Sequence, residues 1–259
     1  MTNKLIIKAR AKMEMLVLAG ALICLILALF ILKPIRAISG HPENLNLMDT
    51  SRDRLIPVLL YSENIHSGKN VQVVIVAHGH GIKNSDYSYI STNLEAHGYV
   101  VASVQYELPE DEEINMNGNA YEILKPVWEE AVKSTLFVVQ YMKNKYPNLD
   151  CQNLILIGHS RGADMLMLFA RMYPELVSKV ISLDNGHVPF LRTKKPQIFL
   201  LRANNTIPDN GVLPTPEEQK KFNIKIVKLK DISHIEMCFG NEFQMEEIKG
   251  YIIDFLKKD

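Results

Sequence analysis

The sequence predicts an α/β domain, in which a mostly parallel β-sheet is covered by helices on both faces. Apolar segments of strand length alternate along the chain with longer segments of helical periodicity. The segment 71–77 (VQVVIVA) is apolar except for Gln72, as expected for a strand that is buried on both faces of a parallel sheet. The chain has 259 residues, 47% of them hydrophobic, which is enough for one such domain with a large core.

Each predicted strand is a short apolar run bounded by polar or turn residues. The first, at residues 54–61 (RLIPVLLY), precedes the fully apolar run described above. Seven strands are predicted in all, at residues 54–61, 71–77, 100–106, 154–157, 179–183, 197–201 and 224–229. Since the carboxyl ends of parallel strands meet at one edge of the sheet, active residues are expected at that edge.

The predicted helices separate these strands. The first, at 87–97, ends before Gly98, which suits a C-terminal cap. The second, at 120–146, contains Pro126, which could interrupt it because proline lacks an N–H and clashes with the preceding turn. The others cover 163–170 and, as an amphipathic C-terminal helix, 243–258.

The N-terminal region differs from the rest. Residues 15–32 carry no charge over eighteen positions, which is long enough for one helical crossing of a membrane. The basic residues before this run favour a cytoplasmic N-terminus. We therefore predict a cytoplasmic segment (1–14), a transmembrane signal anchor (15–32), a linker (33–51) and a domain (52–259) outside the cytoplasm, for example in a periplasm. The alternative is a signal peptide cleaved near residues 37–39.

The charge balance argues against a nucleic-acid-binding protein, and the positions of two cysteines argue against a disulfide between them. The chain has 29 basic and 29 acidic residues, so it lacks the basic excess of a nucleic-acid-binding protein. Cys151 and Cys238 are predicted at opposite ends of the sheet, about 15 Å apart. Because a disulfide needs Cα atoms about 5.5 Å apart, we expect no bridge between them.

The segment 158–162 (GHSRG) is the most informative motif of the chain. A predicted strand leads into it and a predicted helix leads out, which is the context in which G-x-S-x-G forms a nucleophile elbow. Ser160 is therefore the predicted nucleophile. At the start of a helix, backbone N–H groups would stabilise negative charge near it. The alternative is an ordinary tight turn that contains a serine.

A serine hydroxyl needs a base to act as a nucleophile at neutral pH. His234 follows the last predicted strand, at the expected catalytic edge, and is our choice; the alternative is a solvated loop histidine. The base in turn needs a carboxylate. We place Asp209 first, because it follows the penultimate predicted strand, and Asp184 second. Either residue could instead be a turn aspartate.

An acyl-transfer site also needs two hydrogen-bond donors for the oxyanion. The main-chain N–H of Arg161, directly after the nucleophile, is the first candidate. The loop 77–81 (AHGHG) should supply the second, from the main chain of His80 or, failing that, Gly81. His78 and His80 could alternatively bind a metal. No third ligand follows at a characteristic spacing, so we expect no metal and no cofactor.

From about residue 52 to 259 the chain resembles the α/β-hydrolase family, and within it bacterial esterases of the dienelactone-hydrolase and platelet-activating-factor-acetylhydrolase-like group. The resemblance implies carboxylic-ester hydrolysis by a Ser–His–Asp triad and a fold whose cap domain, if present, is inserted after residue 184. Only about a dozen residues are available there, so we expect an open site without a large lid. Relatives often carry an aspartate at Asn204 or Asn205, and both are amides here. The resemblance rests on residues 56–58, Tyr61, 78–81, 103–108, 158–162, 182–185, 211–214 and His234.

Together these observations predict a membrane-anchored serine esterase. Its expected partners are a small-molecule ester and, through residues 15–32, a membrane. A peptidase or acyltransferase that uses the same triad is the alternative enzyme. The alternative outside enzymology is a catalytically silent, membrane-tethered binding protein.

Overall fold

Eight strands form one β-sheet in the computed structural model, which describes residues 41–68 and 70–257. The strands are arranged in the order β1-β2-β4-β3-β5-β6-β7-β8. Strands β3 to β8 run parallel, and β2 runs antiparallel to both of its neighbours. Their bounds are β1 Glu43–Asp49, β2 Arg54–Tyr61, β3 Val71–Ala77, β4 Val100–Val104, β5 Leu149–His159, β6 Val177–Leu183, β7 Gln197–Arg202 and β8 Lys225–Lys228.

Helices cover both faces of this sheet, as predicted. Of the longer helices, α2 and α3 contribute to the core on one face, and α1 and α6 contribute to the core on the other. Two shorter helices, α4 and α5, lie before and after β8. Their bounds are α1 Ser88–Ala96, α2 Ala120–Lys145, α3 Arg161–Met172, α4 Pro216–Phe222, α5 Glu236–Phe239 and α6 Glu242–Leu256.

Side chains of β3 show how the sheet divides the core. Val73 and Ile75 belong to the hydrophobic cluster on the α2 and α3 face, whereas Val74 and Val76 belong to the cluster on the α1 and α6 face. Successive side chains of a strand point to opposite faces, so a continuous apolar run fills both clusters. All four side chains are buried.

The predicted linker (33–51) is corrected over part of its length, because Glu43–Asp49 forms β1 and pairs antiparallel with β2 along seven residues. The segment alternates polar and apolar residues, and Leu45 and Leu47 point towards the core. Such an alternation is typical of a strand at the edge of a sheet. Because it spans few residues here and follows Pro42, the sequence pattern alone predicts a linker.

The helix α2 continues through Pro126 without a break. Proline in a helix interior costs about 3 kcal/mol. The buried face of α2, with Trp128 and Val132 at its centre, offsets this cost by packing on the sheet. At the start of α2, the Asn119 side chain accepts a hydrogen bond from the N–H of Glu122 and caps the helix.

The segment 184–196 contains no helix or strand, in line with the prediction that no cap domain fits after β6. Cys151 and Cys238 are both buried free thiols. The predicted membrane span, residues 15–32, lies outside the described residues. Within residues 41–68 and 70–257, no helix combines the length and the apolar character needed to cross a bilayer.

Candidate active site

The turn between β5 and α3 holds Ser160 in a strained backbone conformation. Its φ is 54° and its ψ is −125°, a region that residues with a side chain rarely occupy. The Ser160 N–H donates to the carbonyl of Leu183, the last residue of β6, at 2.9 Å. The predicted nucleophile therefore lies at the carboxyl edge of the sheet and at the N-terminus of a helix.

The two glycines of the motif are required by close backbone packing. A Cβ on Gly158 would lie 2.5 Å from the carbonyl oxygen of Gly162. A Cβ on Gly162 would lie 2.4 Å from the carbonyl oxygen of His78 and 2.6 Å from that of Ala77. These are main-chain atoms, which cannot rotate away as a flexible side chain could. The glycines thus allow the sharp strand-to-helix turn to pack against β3 and the loop that follows it.

The structure brings Ser160, His234 and Asp184 into one hydrogen-bonded series. The imidazole Nε2 of His234 lies 2.9 Å from Ser160 Oγ. Its Nδ1 lies 2.6 Å from Asp184 Oδ2. Since a carboxylate only accepts hydrogen bonds, Nδ1 carries the proton and Nε2 is left to accept one from the serine hydroxyl. Such a geometry suits nucleophilic catalysis.

The first choice for the carboxylate, Asp209, is therefore corrected to the second choice, Asp184. The Asp209 carboxylate instead contacts His187, with 2.9 Å between Asp209 Oδ2 and His187 Nδ1. The loop after β7 does approach His234, but through an amide: Asn205 Oδ1 accepts the main-chain N–H of His234 at 2.9 Å. The strand end at Asp184 fills the position that the loop was expected to fill.

The Asp184 carboxylate is fully buried and has donors on both oxygens. Its Oδ1 accepts from the Ala203 N–H at 3.0 Å and lies 2.9 Å from Arg202 Nη1. Its Oδ2 accepts from the Thr206 hydroxyl at 2.7 Å. Burial acts to raise the pKa of Asp184, but the hydrogen bonds from His234 and Thr206 and the charge of Arg202 outweigh it and lower the pKa. Asp184 is thus held as a carboxylate.

The two main-chain N–H groups predicted to bind an oxyanion belong to segments that adjoin Ser160. An ideal Cβ on Gly79 would lie 3.4 Å from Ser160 Cβ, so the loop after β3 runs directly beside the nucleophile. Among the residues that the structure describes, none accepts a hydrogen bond from the N–H of His80 or of Arg161. The N–H of Gly81, our second choice, donates instead to Glu107 Oε2 at 2.8 Å.

Glu107, which the sequence analysis names only as part of the segment 103–108, links the two candidate donor segments. Its Oε1 accepts from Arg161 Nη1 at 2.7 Å and lies 3.0 Å from His80 Nδ1. With the contact to Gly81, one carboxylate joins the loop after β3 to the start of α3. The hydrogen bonds lower the pKa of Glu107 although burial acts to raise it.

His78 has both ring nitrogens engaged by the main chain. Its Nε2 accepts from the Tyr106 N–H at 2.9 Å, and its Nδ1 lies 2.7 Å from the Gly79 carbonyl oxygen. It is therefore a buried structural histidine rather than a partner of His80 in a metal site. In the part of the chain that the structure describes, no group of three His, Cys, Asp or Glu side chains is arranged to hold a metal ion.

Two cavities meet at Arg161. The smaller, of about 210 Å³, is lined by Ser160, His234 and Asp184. The larger, of about 560 Å³, has apolar walls and an acidic rim that includes Glu107. Members of its apolar wall are Tyr106, Leu108, Ile114, Met116, Val127, Ala131 and Met165. A substrate bound at Ser160 thus has a second, partly apolar space beside it.

Asp164, one turn after Ser160, holds the chain that follows Asp184. Its Oδ1 accepts from the main-chain N–H groups of His187 at 3.0 Å and Val188 at 2.6 Å. The carboxylate is buried, and burial raises its pKa more than these hydrogen bonds lower it. These partners lie more than twenty residues away, so the local sequence around Asp164 does not indicate this role.

We expect Asp164→Asn to flatten the pH dependence of stability. A carboxyl whose pKa is higher in the folded than in the unfolded state favours folding when protonated, so stability is lost as pH rises from about 3.9 through the folded pKa. Asparagine keeps the accepting oxygen and has no proton to release. Urea unfolding at several values between about pH 4 and pH 7 would test this, with the exposed Asp254→Asn as control. Parallel curves for Asp164→Asn and the wild type would contradict it.

The structure resembles solved hydrolases and esterases, whereas no protein-family model and no curated protein sequence matches the chain. Dienelactone hydrolase from Anabaena variabilis has a TM-score of 0.56 at 14% identity, covering 82% of this chain and 96% of its own. An alpha-beta serine hydrolase homologue from Coxiella burnetii has a TM-score of 0.55 at 14% identity, and the match covers 84% of this chain and 98% of the homologue. Est1E from Butyrivibrio proteoclasticus has a TM-score of 0.58 at 13% identity, and the match covers 85% of this chain and 100% of Est1E. At these identities the likeness concerns the fold alone.

Proposed function

Because the chain has the α/β-hydrolase fold, we propose that it is a serine hydrolase that cleaves carboxylic esters. The observation that carries the proposal is the hydrogen-bonded series from Ser160 Oγ through His234 to Asp184, with distances of 2.9 and 2.6 Å. Nucleophile, base and carboxylate are in reach of one another without any rearrangement. The strain at Ser160 supports the proposal further, because such strain is concentrated at functional sites.

In the first half of the reaction, Ser160 Oγ attacks the ester carbonyl carbon while His234 Nε2 takes the hydroxyl proton. The carbonyl oxygen becomes an oxyanion, which the N–H groups of His80 and Arg161 stabilise. Asp184 stabilises the imidazolium that has formed. As the carbon–oxygen bond to the alcohol breaks, His234 gives its proton to the leaving oxygen and an acyl-enzyme remains.

In the second half, His234 takes a proton from water, whose oxygen attacks the acyl carbon of the acyl-enzyme. The same two N–H groups stabilise the second oxyanion. Collapse of this intermediate breaks the bond to Ser160 Oγ, which recovers a proton from His234, and the carboxylic acid leaves. The steps use side chains and water only, so we propose no metal and no cofactor.

The cavity at Ser160, of about 210 Å³, and the absence of a cap segment in residues 184–196 support small or exposed acyl groups as substrates. The Ile207 side chain is almost fully exposed beside this cavity. A short acyl or alcohol group could bind there without displacing an ordered lid.

The proposal can be tested with a fluorophosphonate probe and short-chain p-nitrophenyl esters. The full-length chain, purified in detergent, should be labelled and should hydrolyse the esters. Ser160→Ala should do neither, whereas Ser88→Ala, which removes an exposed hydroxyl, should do both. A folded wild type that is neither labelled nor active would favour the silent binding protein. Faster cleavage of amides, or transfer of the acyl group to an added alcohol, would favour a peptidase or an acyltransferase.

We also propose, from the sequence alone, that residues 15–32 anchor the domain to a membrane, with residues 1–14 in the cytoplasm. Protease added to spheroplasts should then release the domain, while washing membranes with salt should not. Recovery of the full-length chain in the soluble fraction would contradict the anchor.

A further inference from the structure

A second, buried chain of hydrogen bonds runs behind the proposed triad. The Gly79 N–H donates to the Tyr87 hydroxyl at 3.1 Å. The Tyr87 hydroxyl lies 2.6 Å from His159 Nδ1. The Nε2 of His159 lies 3.0 Å from the carbonyl oxygen of His234. Tyr87 and His159 are both almost completely buried, and among the described residues neither side chain is hydrogen-bonded to Ser160 Oγ or to the Asp184 carboxylate.

If the His159 ring is neutral, only one arrangement of protons satisfies all these contacts. A carbonyl oxygen accepts but cannot donate, so His159 must carry its proton on Nε2. In a neutral ring, Nδ1 is then an acceptor, and Tyr87 must donate its hydroxyl proton to it. Burial, followed by the neighbouring His234, lowers the pKa of His159 to about 3, so its ring is neutral near pH 7. Burial raises the pKa of Tyr87, which keeps its proton.

This series of hydrogen bonds ends at the backbone of His234, the proposed general base. The His234 N–H is bound by Asn205 at 2.9 Å and its carbonyl by His159 at 3.0 Å. The two imidazole rings also pack together, with their centroids 4.6 Å apart. The main chain of His234 is therefore held on both sides while its ring reaches Ser160.

We propose that His159 is a positioning residue for His234, and that Tyr87 fixes the tautomer of His159 that this role requires. The same hydroxyl binds the Gly79 N–H, next to the proposed oxyanion donor His80. This buried series of hydrogen bonds therefore connects the base, the nucleophile turn and the oxyanion loop and fixes their relative positions. This inference rests on the proposed function, because it assigns His159 a role in the alignment of His234 for that reaction.

Three variants test the role of His159. His159→Leu removes both nitrogens, whereas His159→Gln can place an amide N–H near the position of Nε2 and so keep the donor to His234. Tyr87→Phe removes the hydroxyl that selects the tautomer. We expect His159→Leu to lower kcat about 30- to 100-fold with KM changed less than about twofold, since displacement by about 1 Å can cost about 10²-fold. His159→Gln should restore kcat to within about fivefold of the wild type, and Tyr87→Phe should lower it about tenfold.

A spectroscopic measurement reads the ring of His234 without any turnover. The short hydrogen bond from Nδ1 to Asp184 should give a far-downfield proton resonance in the full-length chain. His159→Leu and Tyr87→Phe should shift or broaden it, and His159→Gln should leave it close to the wild-type position. Thermal unfolding would establish that each variant is folded.

The two proposals fail in different ways. If folded His159→Leu and Tyr87→Phe keep both the resonance and a kcat within about twofold of the wild type, the positioning role is overturned. If the wild type shows neither ester hydrolysis nor probe labelling, the proposed function fails. The resonance alone then decides whether His159 aligns the His234 ring.

Discussion

Asp184→Asn should lower kcat for ester hydrolysis about 10⁴-fold, the size of effect seen when a triad carboxylate is replaced by its amide. The Ala203 N–H and Arg202 both direct donors at Oδ1, so the carbonyl oxygen of the new amide should take that position. Its NH₂ group would then face His234 Nδ1, which becomes an acceptor. The ring proton of His234 moves to Nε2, and Nε2 can then no longer accept the proton of Ser160.

The matched control is Asp209→Asn, which should stay within about threefold of the wild type. Asp209 is half exposed and pairs with His187, so it has no direct effect on His234. Steady-state hydrolysis of a short-chain p-nitrophenyl ester measures both variants, with circular dichroism to verify folding because Asp184→Asn leaves Arg202 without its buried partner. Equal losses in both variants, or a loss below about tenfold in Asp184→Asn, would contradict the assignment.

Gly162→Ala should lower the free energy of unfolding by roughly 3 kcal/mol or more, or prevent folding altogether. The added Cβ would lie within 2.7 Å of three main-chain atoms of Ala77 and His78 before any movement. To relieve this contact, β3 would have to separate from α3, which would disturb the centre of the sheet and the proposed oxyanion loop together.

Gly250→Ala is the matched control for this substitution. Gly250 is an exposed residue of α6, and nothing lies within 4 Å of an added Cβ. Alanine is favoured over glycine in a helix interior, so this variant should gain about 0.5–1 kcal/mol. Urea unfolding followed by circular dichroism measures both changes. A Gly162→Ala protein as stable as the wild type would contradict the packing that we describe around the nucleophile turn.

The parts of the site that could be predicted are those encoded by neighbouring residues. The segment 158–162 carries its own strand, turn and helix context, and Ser160 lies where that context predicts. His234 was found by its place after the last strand. The sheet was predicted for the same reason: each buried parallel strand is a short apolar run, as in β3. The edge strand β1 was missed because half of its side chains face solvent.

The choice of carboxylate could not be made from local pattern. Asp184 and Asp209 both follow a strand and both precede His234 in the chain, so the order along the sequence is the same for either. The two aspartates differ in the direction of their carboxylates, because Asp184 faces His234 and Asp209 faces His187. The β6 end is bonded to the nucleophile turn, and the loop after β7 turns an amide rather than a carboxylate towards His234.

The supporting residues were hidden for a related reason. Tyr87 and His159 are 72 positions apart, and Glu107 and Arg161 are 54 apart. Pairs at such separations leave no periodic signal in one sequence. His159 lies inside the motif that was identified, but a buried histidine between a glycine and the nucleophile gives no indication of which carbonyl it binds.

The hydrogen bond between the Ser160 N–H and the Leu183 carbonyl affects how a chain of this kind can diversify. The proposed nucleophile and carboxylate are attached to two adjacent parallel strands, so their separation is inherited with the sheet itself. Residues 207–214 contribute no hydrogen bond to Ser160, His234 or Asp184, yet Ile207 borders the cavity beside them. If the proposed function holds, mutations and length changes in that loop would alter which substrates enter while Ser160, His234 and Asp184 stay in place. Substrate range and catalytic power would then be encoded in separate segments, and selection could act on one without losing the other.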